Sequence, residues 1–304
     1  MISAPDRDTA GELLEEVRRR VDERLAIWAA RLKARREGAE GAAMAYAIAS
    51  PGKRVRAALV RASYLACGGG SDAIDEVAAA VEIVHAYSLV HDDLPCMDND
   101  DLRRGRPTTH RAFSVEVATR AGFLMVPVAA EVLAHASELL HLDIARLGQM
   151  AHVLFAASGA EGMVGGQWLD LEAEQQALEL DALVAVHRGK TGALIQASCE
   201  LGALAAGATD SMVQRIAAFG ADIGLAFQVA DDVLDSTASS EVLGKTAGLD
   251  QLLHKSTYVS VLGVEGARTE ARRLAERAIA GLAGARCDAP ALSALARYIV
   301  ERPS

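Results

Sequence analysis

Aromatic residues, prolines and long apolar runs are all scarce in this chain of 304 residues. Phenylalanine, tryptophan and tyrosine together make up only 4% of it. The seven prolines lie at positions 5, 51, 95, 107, 127, 290 and 303. Because proline disrupts a helix interior, the long stretches between these positions predict long helices. No stretch reaches the roughly 18 uncharged apolar residues of a membrane helix, so we expect no transmembrane segment.

Cysteine pairs and excess positive charge are also lacking. The four cysteines, at 67, 96, 199 and 287, include no CxxC pair, which disfavours a zinc site and indicates reduced thiols. The first twenty residues are highly charged and lack the apolar core of a secretory signal, so we expect a cytoplasmic protein. The formal net charge is −10. Non-specific nucleic-acid binding requires lysine and arginine to neutralise phosphates, so we expect no nucleic-acid partner.

Apolar residues with high helix propensity are abundant. Hydrophobic residues make up 51% of the chain, and alanine, leucine and valine supply most of them. Alanine and leucine favour helices, as do the many glutamates and arginines. No sustained alternation of apolar and polar residues indicates a sheet. The sequence therefore predicts an all-α protein that forms a single domain over residues 1–304.

Two segments carry the clearest helical periodicity. The first runs from residue 74 to residue 88, and Ser71 or Asp72 is expected to cap its N-terminus. Its core-facing positions recur at steps of three and four: Ile74, Val77, Val81, Val84 and Ser88. The second runs from about 210 to 235 with one apolar face: Met212, Ile216, Phe219, Ile223, Phe227, Ala230 and Leu234. Such stripes are typical of helices packed against a core.

An aspartate cluster lies at the C-terminal end of each of these helices. Five aspartates fall between positions 92 and 101, and three between positions 231 and 235. A helix C-terminus carries a partial negative charge, so carboxylates there are unfavourable without a cation. Oxygen ligands of this kind suit Mg²⁺, which binds a few carboxylates together with substrate phosphates. One such cluster could be a solvated acidic helix end, whereas two in one helical chain favour metal binding.

Two other ligand-binding motifs fail on individual residues. A calcium loop beginning at Asp98 would need glycine at its sixth position and glutamate at its twelfth, where Arg103 and Thr109 stand. Phosphate-binding loops ending at 189–191 or 244–246 would need a further glycine five residues before the second glycine. Val184 and Ser239 occupy those positions. Neither an EF-hand nor a Walker A loop is expected.

Several segments together resemble the trans-prenyl diphosphate synthase family, which includes the farnesyl and geranylgeranyl diphosphate synthases. HDDLPCMDNDDLRRGRPTTH (91–110) and GLAFQVADDVLD (224–235) resemble its two aspartate-rich motifs. Further similar blocks are PGKRVR (51–56), GMVGGQWLDL (162–171), KTGALI (190–195) and LGKTAGLDQLLHKSTY (243–258). The resemblance runs from about residue 50 to the C-terminus. It implies the isoprenoid synthase fold, a bundle of long antiparallel helices around a central apolar cavity.

The resemblance also implies roles for individual residues. The carboxylates that would hold three Mg²⁺ ions on an allylic diphosphate are Asp92, Asp93, Asp98, Asp231, Asp232 and Asp235. The residues that would contact this diphosphate, or help close the site, are Arg103, Lys190, Gln228, Lys245 and Lys255. Those that would bind isopentenyl diphosphate are Lys53, Arg56, His85 and Arg104. Thr191 and Gln167 would line the site near the reacting carbons.

The implied reaction joins isopentenyl diphosphate to a C5 or C10 allylic diphosphate by ionisation, condensation and elimination. Metal ions and cationic side chains would stabilise the charge on the departing diphosphate. A second diphosphate site would hold the attacking double bond in line. No side-chain nucleophile is required. Members of this family are usually dimers, so we expect a homodimer.

Product length depends in this family on the residues five and four before the first motif, Tyr87 and Ser88. A helix rises about 1.5 Å per residue, so Tyr87 lies roughly 7.5 Å below Asp92. A bulky floor at that depth favours the C15 product, farnesyl diphosphate. A geranylgeranyl (C20) diphosphate synthase is the main alternative, and a core tyrosine without a gating role is the simpler interpretation of Tyr87.

Two further alternatives follow from the same motifs. A class I terpene cyclase shares the first motif, but its second metal motif normally differs from the DDVLD of residues 231–235. A non-catalytic regulatory subunit typically lacks one aspartate motif, and both are intact here. Phe123 stands where the family commonly has aspartate. This difference favours the alternative of a degenerate or regulatory homologue.

Overall fold

The computed structural model describes residues 4–35, 38–173, 178–237, 256–283 and 289–301. Over these ranges the helices are α1 (Ala4–Arg35), α2 (Ala39–Ile48), α3 (Val55–Ala66), α4 (Ile74–Asp92), α5 (Thr109–Ala112), α6 (Val115–Leu139), α7 (Ile144–Ser158), α8 (Met163–Glu172), α9 (Leu180–His187), α10 (Ala193–Ala205), α11 (Asp210–Thr237), α12 (Tyr258–Leu282) and α13 (Pro290–Glu301). A π-helical segment, Arg188–Gly192, joins α9 to α10. Strands β1 (Leu102–Arg103) and β2 (Arg106–Pro107) form a small antiparallel hairpin. The predicted all-α class is confirmed.

Helix α4 is buried on several sides, not only on the predicted stripe. Ala78, Ala79, Ala80 and Ile83 are fully buried in addition to that face. The helix packs against α1, α3, α6 and α10. A helix that buries apolar residues on several sides belongs at the centre of a core. Its C-terminal end, which carries Asp92, is therefore held in place by neighbours on several sides.

The predicted N-cap of α4 is wrong. The residue at the cap position is Ala73, and no side chain caps the helix. The Ser71 hydroxyl instead accepts a hydrogen bond from the Ala73 N–H over 3.2 Å, within the preceding turn. The Asp72 carboxylate pairs with Arg20 and Arg61. Asp72 therefore forms tertiary ion pairs and does not form the cap that its position in the sequence had predicted.

Helix α11 confirms its predicted apolar stripe. Ile216, Phe219 and Ile223 are buried, and Phe227 is half-buried. The helix packs against α10 and α12. Helix α12 begins at a capping box in which the Thr257 side chain accepts from the N–H at the third helical position. That cap fixes the start of α12 beside the C-terminal half of α11.

The predicted loop at residues 50–54 is confirmed, and Arg54 anchors its end. Arg54 has a left-handed backbone, with a φ of 51°, and directly precedes α3. Its guanidinium donates to Asp22 over 2.8 Å and to Glu82 over 3.0 Å. These bonds tie the loop to α1 and α4, and they place Arg56 on the first turn of α3.

By length and composition, α6 could cross a membrane: its most apolar window has a mean hydropathy of 1.5. About 44% of that window is buried inside the protein. Core helices of soluble proteins pass the same test, so α6 gives only weak support for a membrane span.

Candidate active site

The first aspartate motif begins on the last residue of α4 and continues into the turn that follows. Asp92 ends the helix, and Asp93 occupies the C-cap position. The backbone N–H of Asp98 donates to the Asp92 carbonyl over 2.9 Å, so the turn folds back across the helix end. Asn99 makes this reversal with a φ of 53°, a region that asparagine tolerates better than most residues. The fold-back brings Asp98 close enough for its charge to raise the pKa of Asp92.

Burial raises the pKa of Asp92 and of Asp93 to about 6. The positive charge of Lys190 opposes this rise at Asp92, and Arg103 opposes it at Asp93. Arg103 donates from Nε to Asp93 over 2.5 Å and from Nη2 to Asp100 over 3.0 Å. A guanidinium that bridges two carboxylates fixes their geometry more strictly than a lysine could. Asp93 is therefore already paired with a cation of the chain.

Asp232 of the second motif is enclosed by protein donors and is only 4% exposed. Its Oδ1 accepts from Gln228 Nε2 over 3.2 Å. Its Oδ2 accepts from the Tyr258 N–H over 2.8 Å and lies 3.3 Å from His187 Nε2. Both carboxylate oxygens are occupied, so the geometry favours an anchoring role for Asp232 over direct metal binding.

Asp231 faces a different set of groups from its neighbour Asp232. Burial lowers the pKa of Arg56 on α3, and the negative charge of Asp231 counteracts that lowering. The end of α11 therefore lies within electrostatic reach of the first turn of α3. Asp235, one turn after Asp231 on α11, is 9% exposed.

The π-helical segment places Lys190 and Thr191 between the two motifs. Lys190 Nζ donates to Asp170 over 2.6 Å. Burial opposes the charged form, but Asp170, Asp98 and Asp92 together raise the pKa of Lys190. Thr191 Oγ1 donates to Gln228 Oε1 over 2.9 Å. One dipeptide thus interacts with the first motif on one side and with the second motif on the other, at the kind of helical irregularity that is frequent at functional sites.

Arg56, His85 and Arg104 form a separate cationic cluster. Arg56 Nη1 lies 3.5 Å from His85 Nε2. Burial, and then the charges of the arginines, lower the pKa of His85 well below its usual value, so the ring is neutral. Arg104 donates to the Pro51 carbonyl; a Cβ at Gly52 would lie 2.7 Å from its Nη1.

Negative charge from Glu82 and Asp231 reaches the Arg56 cluster, but one of its donors is still unpaired in the described ranges. Arg56 Nε is buried without a hydrogen-bond partner among the described residues. A buried, unpaired guanidinium N–H is costly to the fold. The cluster is therefore suited to receive an anionic ligand.

A close contact between α8 and the π-helical segment positions Gln167. A Cβ on Gly166 would lie 1.9 Å from the Lys190 nitrogen, so glycine is needed at this crossing. Gln167 itself is 6% exposed, and within the described ranges neither of its amide atoms has a hydrogen-bond partner. A buried amide with no partner is unfavourable. Gln167 therefore points to a ligand that would complete its hydrogen bonds.

On α4, Ser88 precedes Asp92 by four residues, about one helical turn, and Tyr87 precedes it by five. Tyr87 is 8% exposed, and its hydroxyl lies 3.5 Å from the Ser158 carbonyl at the end of α7. Burial, and then the charge of Asp92, raise the pKa of Tyr87. The Ser88 hydroxyl donates to the carbonyl of its own helical turn, at His85, over 2.8 Å.

Known proteins resemble this chain over most of its length. The profile of the family described as polyprenyl synthetase matches residues 40–290. The chain belongs to this family.

Two members of the polyprenyl synthetase family are similar to this chain over most of its length. The chain is 46% identical over 263 residues to farnesyl diphosphate synthase of Escherichia coli (strain K12), covering 85% of this chain and 88% of the relative. It is 44% identical to the large subunit 1 of a heterodimeric geranylgeranyl pyrophosphate synthase of Arabidopsis thaliana, covering 86% of this chain and 71% of the relative.

A solved structure shares the fold. Geranyltransferase from Helicobacter pylori, complexed with magnesium and isoprenyl diphosphate, matches with a TM-score of 0.76 at 29% identity and covers 99% of this chain and 98% of its own. The family and the fold predicted from the motifs are confirmed: the chain is a prenyltransferase of the short-chain trans type.

The carboxylates of this prenyltransferase suit Mg²⁺ without forming a complete cage. Across the part of the chain that the structure describes, no three histidine, cysteine, aspartate or glutamate side chains converge on one point. Mg²⁺ usually takes one or two carboxylates and completes its coordination with water and substrate phosphates. The donors therefore fit a metal that binds together with a diphosphate. Lys245 and Lys255, predicted to act on that diphosphate, lie outside the described residues.

Sequence reasoning missed two residues of this site, Asp170 and His187. Asp170 pairs with Lys190, and His187 stacks on the Tyr258 ring with 5.7 Å between centroids while it reaches Asp232. His187 precedes Thr191 by four residues, a spacing that places both on one side of a helix. That spacing could have marked His187, whereas no sequence spacing links Asp170 to Lys190.

Proposed function

We propose that this prenyltransferase condenses isopentenyl diphosphate with C5 and C10 allylic diphosphates and releases farnesyl diphosphate, a C15 product. The observation that carries the proposal is the separation of two groups of charged side chains. One group is formed by the two aspartate motifs with Lys190 between them, and it would receive a diphosphate together with Mg²⁺. The other is the cationic cluster around Arg56. A reaction between two diphosphates needs two such receptors.

The allylic diphosphate binds between the two motifs in this proposal. Asp92, Asp98 and Asp231 are the carboxylates that hold Mg²⁺, and three ions are expected. When bound, Mg²⁺ neutralises the charge that develops on the departing diphosphate. Arg103 and Lys190 add positive charge from the chain itself. The Helicobacter pylori relative, whose structure contains magnesium and isoprenyl diphosphate, supports this assignment.

The remaining carboxylates act mainly by holding other groups. Asp93 orients Arg103 through their 2.5 Å hydrogen bond. Asp232 orients Gln228, which in turn holds the Thr191 hydroxyl.

Isopentenyl diphosphate binds at the Arg56 cluster. The Arg56 Nε–H offers an unused donor, neutral His85 offers a ring nitrogen, and Lys53 and Arg104 add charge. Binding at this position would hold the isopentenyl double bond against the allylic carbon and remove much of the entropic cost of the encounter. Thr191, Gln167 and Gln228 line the space between the two diphosphates. The released diphosphate is the base that takes the final proton, so no side chain is assigned that task.

Tyr87 is the basis for the C15 product. In this proposal its buried ring forms the floor beneath Asp92, and a chain longer than C15 would have to displace it. Geranylgeranyl diphosphate (C20) is the alternative product, because the family relatives include synthases named for each.

Product analysis tests this function directly. The protein is incubated with Mg²⁺, labelled isopentenyl diphosphate and, in separate reactions, C5, C10 or C15 primers. Products no longer than C15 are expected, and C20 made from the C15 primer would refute the C15 assignment. Tyr87→Ala should lengthen the product, whereas Tyr87→Phe, which keeps the ring, should not. No consumption with any primer would favour the non-catalytic regulatory subunit.

We further propose that residues 1–304 form one isoprenoid synthase domain and that the protein is a cytoplasmic homodimer. A shared cluster of buried apolar residues joins α1, α4, α10 and α13, which supports one domain. Val115, Leu139 and Ile144 on α6 and α7 are 46%, 45% and 82% exposed. Large exposed apolar side chains on neighbouring helices are typical of an interaction face. Light scattering should give twice the chain mass of 31.9 kDa.

A further inference from the structure

Three rings form a row from the surface of α6 to the buried face of α4. Phe123, on α6, meets His91 edge to face with 5.1 Å between ring centroids. His91, on α4, meets Tyr87 edge to face at 5.6 Å. Edge-to-face aromatic pairs at such distances are attractive beyond the area they bury. The outermost ring, Phe123, is 66% exposed, and the innermost, Tyr87, is the proposed floor.

The middle ring, His91, is held in a notch of α6. A Cβ on Gly122 would lie 2.0 Å from His91 Nε2, so the ring rests directly on the backbone of that helix. Its Nε2 lies 3.1 Å from the Thr119 carbonyl, and the nitrogen must be the donor because a carbonyl only accepts. With one edge fixed in this way, His91 can pass a displacement of α6 on to Tyr87.

The Tyr87 ring is buried in the main apolar core, and its hydroxyl adds little to fix its position. Its hydroxyl is 3.5 Å from the Ser158 carbonyl, which is long for a hydroxyl donor. The neighbouring Ser88 hydroxyl is engaged within its own helical turn. Ring packing against His91 therefore contributes more to the placement of Tyr87 than the hydrogen bond does.

Phe123 sits on a turn of α6 that has lost a backbone hydrogen bond. Pro127 lies within α6, four residues after Phe123. Proline has no N–H, so the Phe123 carbonyl lacks its usual helical donor, and the proline ring crowds that carbonyl. The position of this turn consequently depends more on the side-chain contact between Phe123 and His91.

We propose that Phe123 is a positioning residue for product length, acting through His91 on Tyr87. This inference rests on the proposed C15 function, in which Tyr87 is the floor. Phe123 braces His91, His91 braces Tyr87, and the braced tyrosine stops chain growth. Loss of the outer ring lets the inner ring yield to a longer product.

The test measures the ratio of C20 to C15 product with Mg²⁺, isopentenyl diphosphate and the C15 primer. Removing one edge-to-face pair in Phe123→Ala should raise this ratio about five-fold. Phe123→Tyr keeps the ring and should restore the wild-type ratio. Leu65→Ala removes an exposed apolar side chain of α3, one that takes part in neither the ring row nor the proposed interaction face, and should leave the ratio unchanged.

The outcomes separate the inference from the function on which it rests. If Tyr87→Ala lengthens the product but Phe123→Ala and Phe123→Leu do not, the floor stands and the bracing role is wrong. If Leu65→Ala lengthens the product as much as Phe123→Ala, the effect comes from a general loss of exposed apolar surface and the ring contact is again refuted. If Tyr87→Ala does not lengthen the product, the floor itself fails. Light scattering on each variant shows whether the oligomeric state has changed alongside the ratio.

Discussion

The two aspartate motifs share a DD pair but use it differently. In the first, the pair lies at the end of α4, and the following turn brings Asp98 back over the helix. In the second, the pair lies inside α11, where Asp232 is bound by donors from three other residues. The first motif is shaped by a turn and the second by packing between helices. Identical residue types therefore have different surroundings in the two motifs, and we propose that they act differently.

The largest effect should come from removing a proposed ligand from either motif. Asp92→Ala and Asp231→Ala should each lower kcat by at least about 10³-fold, because charge on the departing diphosphate loses its metal. Stability of the metal-free Asp92 variant should not fall, since burial of that carboxylate already disfavours its charged form. Steady-state kinetics and thermal melts measure both. Activity near wild type in either variant would remove that aspartate from the site.

Removing the anchor should affect stability as well as activity. Asp232→Ala leaves the Tyr258 N–H, Gln228 and His187 without their shared acceptor. Loss of a buried, multiply bonded carboxylate should cost roughly 3 kcal/mol of unfolding free energy, and kcat should fall about 100-fold as Gln228 and Thr191 lose their positions. Denaturant melts and kinetics test this, with Asp231→Ala as the matched control. Equal stability in the two variants would contradict the division into ligand and anchor.

A smaller effect is expected at Arg103. Arg103→Lys cannot bridge Asp93 and Asp100 at once, so kcat/KM for the allylic substrate should fall about ten-fold. Arg111 makes a single exposed pair with Asp101 after the same hairpin, and Arg111→Lys should change kcat/KM less than two-fold. An equal loss in both variants would mean that general surface charge, and not the bridge, is responsible.

The smallest effect is a pH dependence of metal binding. Burial raises the pKa of Asp92 and of Asp93 to about 6. Protons therefore compete with Mg²⁺ as the pH falls, and between about pH 7.5 and pH 6 the affinity should drop about four-fold if both carboxyls must ionise. Calorimetry of Mg²⁺ binding with diphosphate present measures this, and Asp93→Asn should remove about half of the dependence.

The same shift has the opposite sign for the metal-free fold. The raised pKa values mean that the folded state binds these protons more tightly than the unfolded chain, whose carboxyls have a pKa of 3.8. The contribution of Asp92 and Asp93 to stability therefore grows as the pH falls from about 6 towards 3.8. A melt of the Asp92→Asn variant should lose part of that gain.

Local sequence was sufficient for α4 and α11 and for the placement of both motifs. The steps of three and four that end near Asp92 and Asp235 predicted α4 and α11, because burial of one face imposes that period. The cap of α4 was not predictable, since Asp72 is drawn to arginines from α1 and α3. The tendency of Asp72 to cap the helix is therefore outweighed by its two ion pairs.

The partners of the candidate site residues could not be predicted from the sequence, for a related reason. Asp232 is engaged by residues 45 positions before it and 26 after it, and Lys190 meets Asp170 across a separation of 20. Such separations depend on how α8, α9 and α12 pack, and periodicity does not encode that packing. The motifs therefore predicted the candidate residues, whereas the partners of those residues are set by tertiary contacts.

The π-helical turn at Arg188–Gly192 has a consequence for how this chain tolerates insertion and deletion. A π-helical turn holds about one residue more than an α-helical turn. Shortening it by one residue would let a regular helix form and would leave the helices on either side in nearly their present register, because one residue fewer offsets the tighter winding. The residues of the turn itself would shift relative to the two motifs, so Lys190 and Thr191 would lose their present positions. We therefore expect a single-residue deletion here to leave a well-folded, longer helix and an inert enzyme.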